Sequence, residues 1–251
     1  MAYFKFNNKK IYYEENGNGE PLILLHGNTA SSKMFETIIK LYSDEYRVIT
    51  LDFLGHGKSQ RLEEFPLELW FDEAMQTIAL IKFLSLKNVN LLGTSGGAWV
   101  AINVALERPD LVKKVVADSF DGRTLAPDFA EKLLKGRRIS KQDETAKQFY
   151  IFCQGSDWES VVDQDTNCLL QLVKKQIPLF HKKLSELKMP LLLTASNTDD
   201  MIRQDIEEEY ISILKEVPYG EKYIFQNGFH PAVISNHIGI AKTIKDFLNN
   251  I

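Results

Sequence analysis

Between residues 89 and 106 the chain joins an apolar run, Val89-Asn90-Leu91-Leu92, to Gly93-Thr94-Ser95-Gly96-Gly97 and then to the apolar stretch Ala98 to Leu106. Glycines at both ends of a five-residue turn centred on a serine imply a reversal so tight that side chains at Gly93 and Gly97 would collide with neighbouring backbone. The spacing predicts a strand, a sharp turn and a helix, with Ser95 held in a strained conformation at the tip. Such a unit favours folds in which strands feed helices packed on the faces of a mainly parallel sheet.

The rest of the chain follows that grammar. Tyr3 to Phe6 and Ile11 to Glu14 flank Asn7-Asn8 and predict an antiparallel hairpin, with a second turn at Gly17 to Pro21. Leu22 to Leu25, Arg47 to Leu51, Val89 to Leu92, Lys114 to Ala117, Leu191 to Thr194 and Lys222 to Phe225 are short apolar runs expected to be buried strands. Leu67 to Leu84, Ala98 to Leu106 and Ile240 to Leu248 carry helical spacing. The expected fold class is α/β, with a mostly parallel eight-stranded sheet flanked by helices. With 251 residues, 44% of them apolar, one domain suffices. Residues 120–188 break the alternation: they hold helical patterns at Ala126 to Leu134, Gln142 to Phe152, Trp158 to Lys175 and Leu179 to Leu187 but no convincing strand. The expected organisation is a core of 1–119 and 189–251 with a helical lid insertion, since long insertions in compact domains are often functional.

Composition narrows the partners. A net charge of -4 argues against general affinity for nucleic acid, and the short basic cluster Lys135, Arg137 and Arg138 reads as a solvated helix end. No secretory signal and no apolar run long enough for a membrane span are visible, so a cytoplasmic location is expected. Two cysteines, Cys153 and Cys168, are too few for a disulfide framework and lack zinc-site spacing, so free thiols are expected.

The strand–turn–helix around Ser95 has the form of a nucleophile elbow, and the following helix aims its N-terminal N–H groups at the site, where they favour developing negative charge. Together with Leu24-Leu25-His26-Gly27-Asn28-Thr29-Ala30 and Leu51-Asp52-Phe53-Leu54-Gly55-His56-Gly57-Lys58-Ser59, it resembles the α/β-hydrolase family over nearly the whole chain. That resemblance implies oxyanion-hole donors from the backbone of Asn28 and Gly96, with the Asn28 side-chain amide an open alternative, and leaves His26 to order its turn. It implies the chain order serine, acid, histidine. Gln226-Asn227-Gly228-Phe229-His230-Pro231 resembles the family's histidine loop and makes His230 the expected base, ahead of His237 and His181. Met189 to Asp200 is a strand and acid loop in which register selects Asp199 over Asp200, although Ser196 stands where a glycine is common. Asp118 is a third candidate and Asp121 a weaker one, and a helix or turn cap accounts for either. The insertion resembles a lid. Phe129, Phe149, Phe152, Trp158 and Phe180, with Trp99 and Phe120, are candidates to line an apolar pocket; the alternative is that they form the lid's own core.

Other chemistries lack their residues. Gly57-Lys58-Ser59 is not a phosphate loop, because Asp52 occupies the required upstream glycine position. No dinucleotide-binding glycine pattern and no zinc-binding histidine pair is present, so neither cofactor nor metal is expected. Serine at the elbow sets aside relatives with an aspartate nucleophile. The expected activity is hydrolysis of a small-molecule ester with a small or medium apolar acyl group. Thioester, carbon–carbon, peptide and acyl-transfer chemistry, and ligand sensing without turnover, remain as alternatives.

Overall fold

The computed structural model describes residues 2–250. Strands β1 (Ala2–Phe6) and β2 (Lys9–Asn16) form the expected hairpin. Asn7 and Asn8 close it with φ of 48° and 63°, the left-handed pair that a two-residue hairpin turn requires. The other strands are β3 (Glu20–Leu25), β4 (Tyr46–Leu51), β5 (Val89–Thr94), β6 (Val112–Asp118), β7 (Leu191–Ser196) and β8 (Gly220–Phe225). They assemble into one eight-stranded sheet in the order β1-β2-β4-β3-β5-β6-β7-β8. Pairing is parallel from β4 across to β8 and antiparallel only where β2 meets β1 and β4.

Period-two alternation divides the strand side chains between two apolar layers. Leu22, Leu24, Val48, Leu92, Val116 and Leu192 pack with Phe35, Ile38 and Tyr42, and with Ile240, Ile244 and Phe247. Those partners lie around the short α1 (Lys40–Ser43) and on α9 (His237–Asn249), which follows α8 (Ala232–Ser235). Ile23, Leu25, Ile49, Leu91, Val115, Leu191 and Leu193 face the other way, into α2 (Leu69–Phe83) and α3 (Gly96–Glu107). Helix α3 is buried from Gly96 through Leu106, which explains its unbroken apolar sequence. Helix α7 (Ile206–Leu214) lies outside the sequence-based expectations, although Ile206, Tyr210 and Ile213 are spaced to bury one face, and all three are buried.

Between β6 and β7 run α4 (Phe129–Ser140), α5 (Glu144–Gln154) and α6 (Trp158–Lys174). Val161, Cys168, Leu169 and Leu172 of α6 join the main core, while Tyr150, Trp158 and Val162 form a small cluster of their own. The expected helix at Leu179 to Leu187 is instead an irregular, bent segment with one 3-10 turn at Leu184–Glu186. Its polar groups have partners outside any helix: the Leu179 carbonyl accepts from Asn103 Nδ2 at 2.9 Å, and the Lys183 N–H donates to the Glu186 carboxylate. Leu184 and Leu187 anchor it in the core. Cys153 and Cys168 are free and buried. No helix among the described residues is long and apolar enough to cross a membrane.

Candidate active site

In the sheet, β3 lies between β4 and β5, so the chain leaves β3 toward β4 on one side and leaves β5 toward β6 on the other. A crevice opens at such a switch point, beyond the carboxyl ends of the strands. The loop after β3 carries Asn28, and the turn after β5 carries Ser95.

Ser95 has φ 54° and ψ -124°, a backbone state that costs a non-glycine residue about 1–3 kcal/mol. Neighbouring structure enforces it. The Ser95 N–H donates to the Asp118 carbonyl at 2.8 Å, and the Ala98 N–H donates to the Ser95 carbonyl at 2.9 Å. A Cβ at Gly93 would run into the Gly97 carbonyl, and one at Gly97 into the Leu25 carbonyl, so both glycines are steric requirements of the turn. A methyl at Gly27 would stand 2.8 Å from Ser95 Cβ and 3.3 Å from its Oγ, so that glycine keeps the space over the hydroxyl open.

The loop after β8 brings His230 Nε2 to 2.9 Å from Ser95 Oγ. The loop after β7 brings Asp199 Oδ2 to 2.8 Å from His230 Nδ1. The carboxylate accepts from Nδ1–H, which leaves the Nε2 lone pair to accept the serine hydroxyl proton. The Thr198 hydroxyl accepts from the Gly228 N–H at 2.9 Å and lies at the same distance from the Gly228 carbonyl, locking the acid loop to the histidine loop. Asp199 Oδ1 also accepts from the Met201 N–H at 3.0 Å, which fixes the carboxylate plane. Burial pulls the His230 pKa down, but the Asp199 hydrogen bond and charge, with Asp118 and Asp121 further off, raise it above its ordinary value.

The competing residues are occupied elsewhere. Asp200 is exposed. Asp118 is fully buried, where it accepts from the Thr94 and Thr194 hydroxyls and the Val233 N–H; burial pushes its pKa up to about 6. Asp121 accepts from the Ala126 and Arg203 N–H groups, a turn-capping role. His237 is exposed at the start of α9, and His181 stacks on Phe71 beside Glu68. His26 donates from Nδ1 to the Gly27 carbonyl and accepts the Phe53 N–H at Nε2, so it orders its turn.

Asn28 and Gly96 meet across the serine: a Cβ at Gly96 would overlap Asn28 Oδ1 and lie 2.8 Å from Trp70 Nε1. Neither the Asn28 nor the Gly96 backbone N–H has a hydrogen-bond partner among the described residues. The Asn28 side chain is committed: Oδ1 accepts from Trp70 Nε1 at 3.0 Å and Nδ2 donates to Asp165 Oδ2 at 2.6 Å. The amide is therefore engaged away from the serine, while the backbone N–H is free of partners among the described residues.

The seven aromatic candidates do not converge. Trp99 stacks on Trp70 with centroids 4.1 Å apart, and Phe120 meets Trp99 edge-on. Phe129 and Phe180 are half-buried against the core. Phe149 and Phe152 are exposed on α5, with the Lys33 ammonium over the Phe152 ring, and Trp158 stacks on Tyr150 in the insertion's own cluster. Trp70, beside Gly96, carries no sequence signal that separates it from an ordinary core residue. Arg137 differs from the solvated helix end expected of its cluster: it pairs with the buried Asp165 at 2.8 Å. Among the described residues, no group of three or more His, Cys, Asp or Glu side chains could hold a metal ion.

Residues 20–156 match the family model described as the alpha/beta hydrolase fold. The (E)-2-((N-methylformamido)methylene)succinate hydrolase of Acinetobacter baylyi is 39% identical over 110 residues, 43% of this chain and 41% of that protein. Haloalkane dehalogenase 2 of Mycobacterium tuberculosis is 32% identical over 115 residues, 45% of this chain and 40% of that one. The aligned part thus spans about two fifths of the length of these curated relatives. Over the full length, the solved structure of a meta-cleavage product hydrolase from Pseudomonas fluorescens superposes with a TM-score of 0.81 at 17% identity, covering 99% of this chain and 97% of that one. With the sheet order, the elbow and the family match in agreement, this chain belongs to the α/β-hydrolase fold family.

Proposed function

We propose that this chain is a serine hydrolase that cleaves a carboxylic ester of a small or medium apolar acyl group through an acyl-enzyme intermediate. The observation that carries the reading is the unbroken hydrogen-bond chain Asp199–His230–Ser95, beside which the backbone N–H groups of Asn28 and Gly96 have no partner among the described residues. A serine hydroxyl is a poor nucleophile until a base takes its proton, and this chain supplies base and orienting acid in the required order.

Ser95 Oγ attacks the acyl carbon as its proton passes to His230 Nε2, and the carbonyl oxygen becomes an oxyanion received by the two N–H groups. Collapse breaks the bond to the alcohol, which leaves with the proton from His230. Water then attacks the acyl-serine, giving a proton to His230, and the second collapse returns that proton to Ser95 Oγ and frees the acid. Asp199 stays ionised throughout and steadies the imidazolium. The wall of Trp70 and Asn28 beside Gly96 favours small acyl groups. Residues 120–188 act as a cap over this site, and the buried free thiols support a cytoplasmic location.

The test is a series of p-nitrophenyl esters, acetyl, butyryl and octanoyl, followed from the first turnover. The expected result is a burst of one nitrophenol per chain, with higher kcat/KM for the two shorter esters. Turnover no faster than that of Ser95→Ala would overturn the reading.

A further inference from the structure

Every residue from Asn28 to Ser31 is hydrogen-bonded to the segment between β6 and β7. Asp165 on α6 holds the Asn28 amide. Arg137 on α4 donates to the Thr29 hydroxyl at 2.8 Å, and that hydroxyl donates to the Asn28 carbonyl at 2.6 Å. Gln154 at the end of α5 donates to the Thr29 and Ala30 carbonyls at 3.0 and 2.7 Å, while its Oε1 accepts the Gly57 N–H. Ser31 Oγ donates to the Cys153 carbonyl at 3.0 Å. A freely opening lid would not be fastened to one loop by three of its helices. The fastened loop carries one of the two N–H groups assigned to the oxyanion.

Asp165 is the centre of this arrangement. It is buried, and each carboxylate oxygen has a different partner: Oδ2 takes the Asn28 amide and Oδ1 takes Arg137 Nη2 at 2.8 Å. Arg137 is held in turn by the Tyr150 hydroxyl at 3.0 Å. The route Tyr150–Arg137–Asp165–Asn28 therefore fixes the Asn28 side chain, and the route through Thr29 fixes its carbonyl. With Trp70 holding Oδ1, both the side chain and the carbonyl of Asn28 are held, and with them the residue that carries the backbone N–H. Thr29 has φ 58°, an uncommon state for a β-branched residue, and the Arg137 and Gln154 bonds act on the same residue.

We propose that Asp165, supported by Arg137, is a positioning residue that sets the oxyanion hole from the cap side by fixing Asn28. The cap helices are then a working part of the catalytic centre, and displacement of α4 and α6 disarms the hole as it opens the site. Asp165 touches neither Ser95 nor the acyl group. It acts through Asn28, so its effect falls on the transition state, where negative charge appears on the oxygen, and spares ground-state binding.

This inference rests on the serine-hydrolase reading for its kinetic arm, and a structural arm stands apart from turnover. Asn28→Ala keeps the backbone N–H and the Arg137–Asp165 pair but cuts the link to the loop. Its kcat on p-nitrophenyl butyrate should fall roughly 10- to 100-fold, short of the roughly 10²–10³ expected when a donor is lost outright. KM should stay within about twofold. Inhibition by a butyl trifluoromethyl ketone, whose serine adduct places an oxyanion in the hole, should weaken by the same factor as kcat. Asp165→Ala should match that kcat loss and add nothing further to Asn28→Ala, whereas Asp165→Asn, which retains an acceptor for the Asn28 amide, should recover part of it. In the structural arm, amide hydrogen exchange at residues 27–31 should quicken in Asp165→Ala, and less so in Asp165→Asn, with 93–97 unchanged. Unchanged exchange at 27–31 overturns the proposal whether or not esters are cleaved. If esters are cleaved, additive losses in the double variant, or a raised KM with kcat intact, also overturn it.

Discussion

Replacing Asp199 with Asn changes one oxygen to an amino group and leaves the shape of the site intact. The native carboxylate accepts two hydrogen bonds, His230 Nδ1–H at Oδ2 and the Met201 N–H at Oδ1. An asparagine has one acceptor. If its oxygen keeps the Met201 bond, its NH2 faces His230 Nδ1 and donates to it, which puts the imidazole proton on Nε2, where it can no longer accept from Ser95 Oγ. If the amide turns over, NH2 meets the Met201 N–H, and two buried donors oppose each other at a cost of about 1–3 kcal/mol. Both orientations also remove the charge that steadies the imidazolium. The expected outcome is a kcat about 10³- to 10⁴-fold lower, equivalent to ~4–5.5 kcal/mol of barrier, with KM and thermal midpoint little changed. Initial rates on p-nitrophenyl butyrate across pH 5 to 10 provide the assay, with Asp200→Asn as a control that should retain native rates because Asp200 is exposed. A loss smaller than tenfold in Asp199→Asn, or an equal loss in Asp200→Asn, would refute the assignment of the acid.

Three further outcomes are expected. The raised His230 pKa predicts that kcat/KM climbs with pH through a limb above the ordinary value of 6.5, as the imidazolium gives up its proton. Removing the nearby charge in Asp118→Asn disfavours the imidazolium and should move that limb to lower pH with kcat retained; an upward or absent shift would contradict the coupling. Gly97→Ala drives a methyl into the Leu25 carbonyl and should abolish labelling of Ser95 and lower the thermal midpoint, so native-like labelling would show the turn to be more tolerant than its geometry implies. Glu73 is buried on α2 without a hydrogen-bond partner for its carboxyl among the described residues, and burial raises its pKa well above 4.5. The folded chain holds a proton there that the unfolded chain releases, so the stability this group contributes is fully present below about pH 4.5 and is lost as pH rises toward the folded value. Glu73→Gln stays neutral, so the fall in stability that this carboxyl causes as pH rises from about 4.5 to 8 should be absent from the variant. Denaturant melts at the two pH values would expose a constant difference if the reasoning fails.

What could be read from the sequence was whatever is set by neighbours in the chain. Strands buried on both faces announce themselves as apolar runs, as β5 and β7 do; all eight expected strands are present, but Lys222 to Phe225, expected to be a buried strand, lies in β8 at the sheet edge with no buried residue. The demand on Gly93 lies within the turn itself, where a Cβ would meet the Gly97 carbonyl, whereas the demand on Gly97 comes from the Leu25 carbonyl on a neighbouring strand. Asp199 and His230, which the structure brings into line with Ser95, each follow a strand in a loop of recognisable form. Residues that act through distant partners left no comparable trace. Asp165 and Asn28 are 137 positions apart, and neither sequence neighbourhood names the other. Arg137 looked like Lys135 and Arg138, yet it turns inward because Asp165 awaits it, while Arg138 and Lys135 stay exposed. Leu179 to Leu187 has helix-like apolar spacing, but Leu184 and Leu187 bury their side chains from a 3-10 turn and its exit, in a segment whose polar groups are bonded by α3 and by the Glu186 side chain. The aromatic residues of 120–188 were a question of direction, which composition cannot answer: Phe149 and Phe152 point to solvent, and Trp158 packs on Tyr150.

The central claim is that Ser95 is an activated nucleophile, and covalent labelling tests it most directly. The native chain, treated with a fluorophosphonate and weighed intact, should gain one adduct that peptide mapping places on Ser95. The adduct should be absent from Ser95→Ala and form at a small fraction of the native rate in His230→Ala. No adduct on the native chain, or one that persists in Ser95→Ala, would contradict the account.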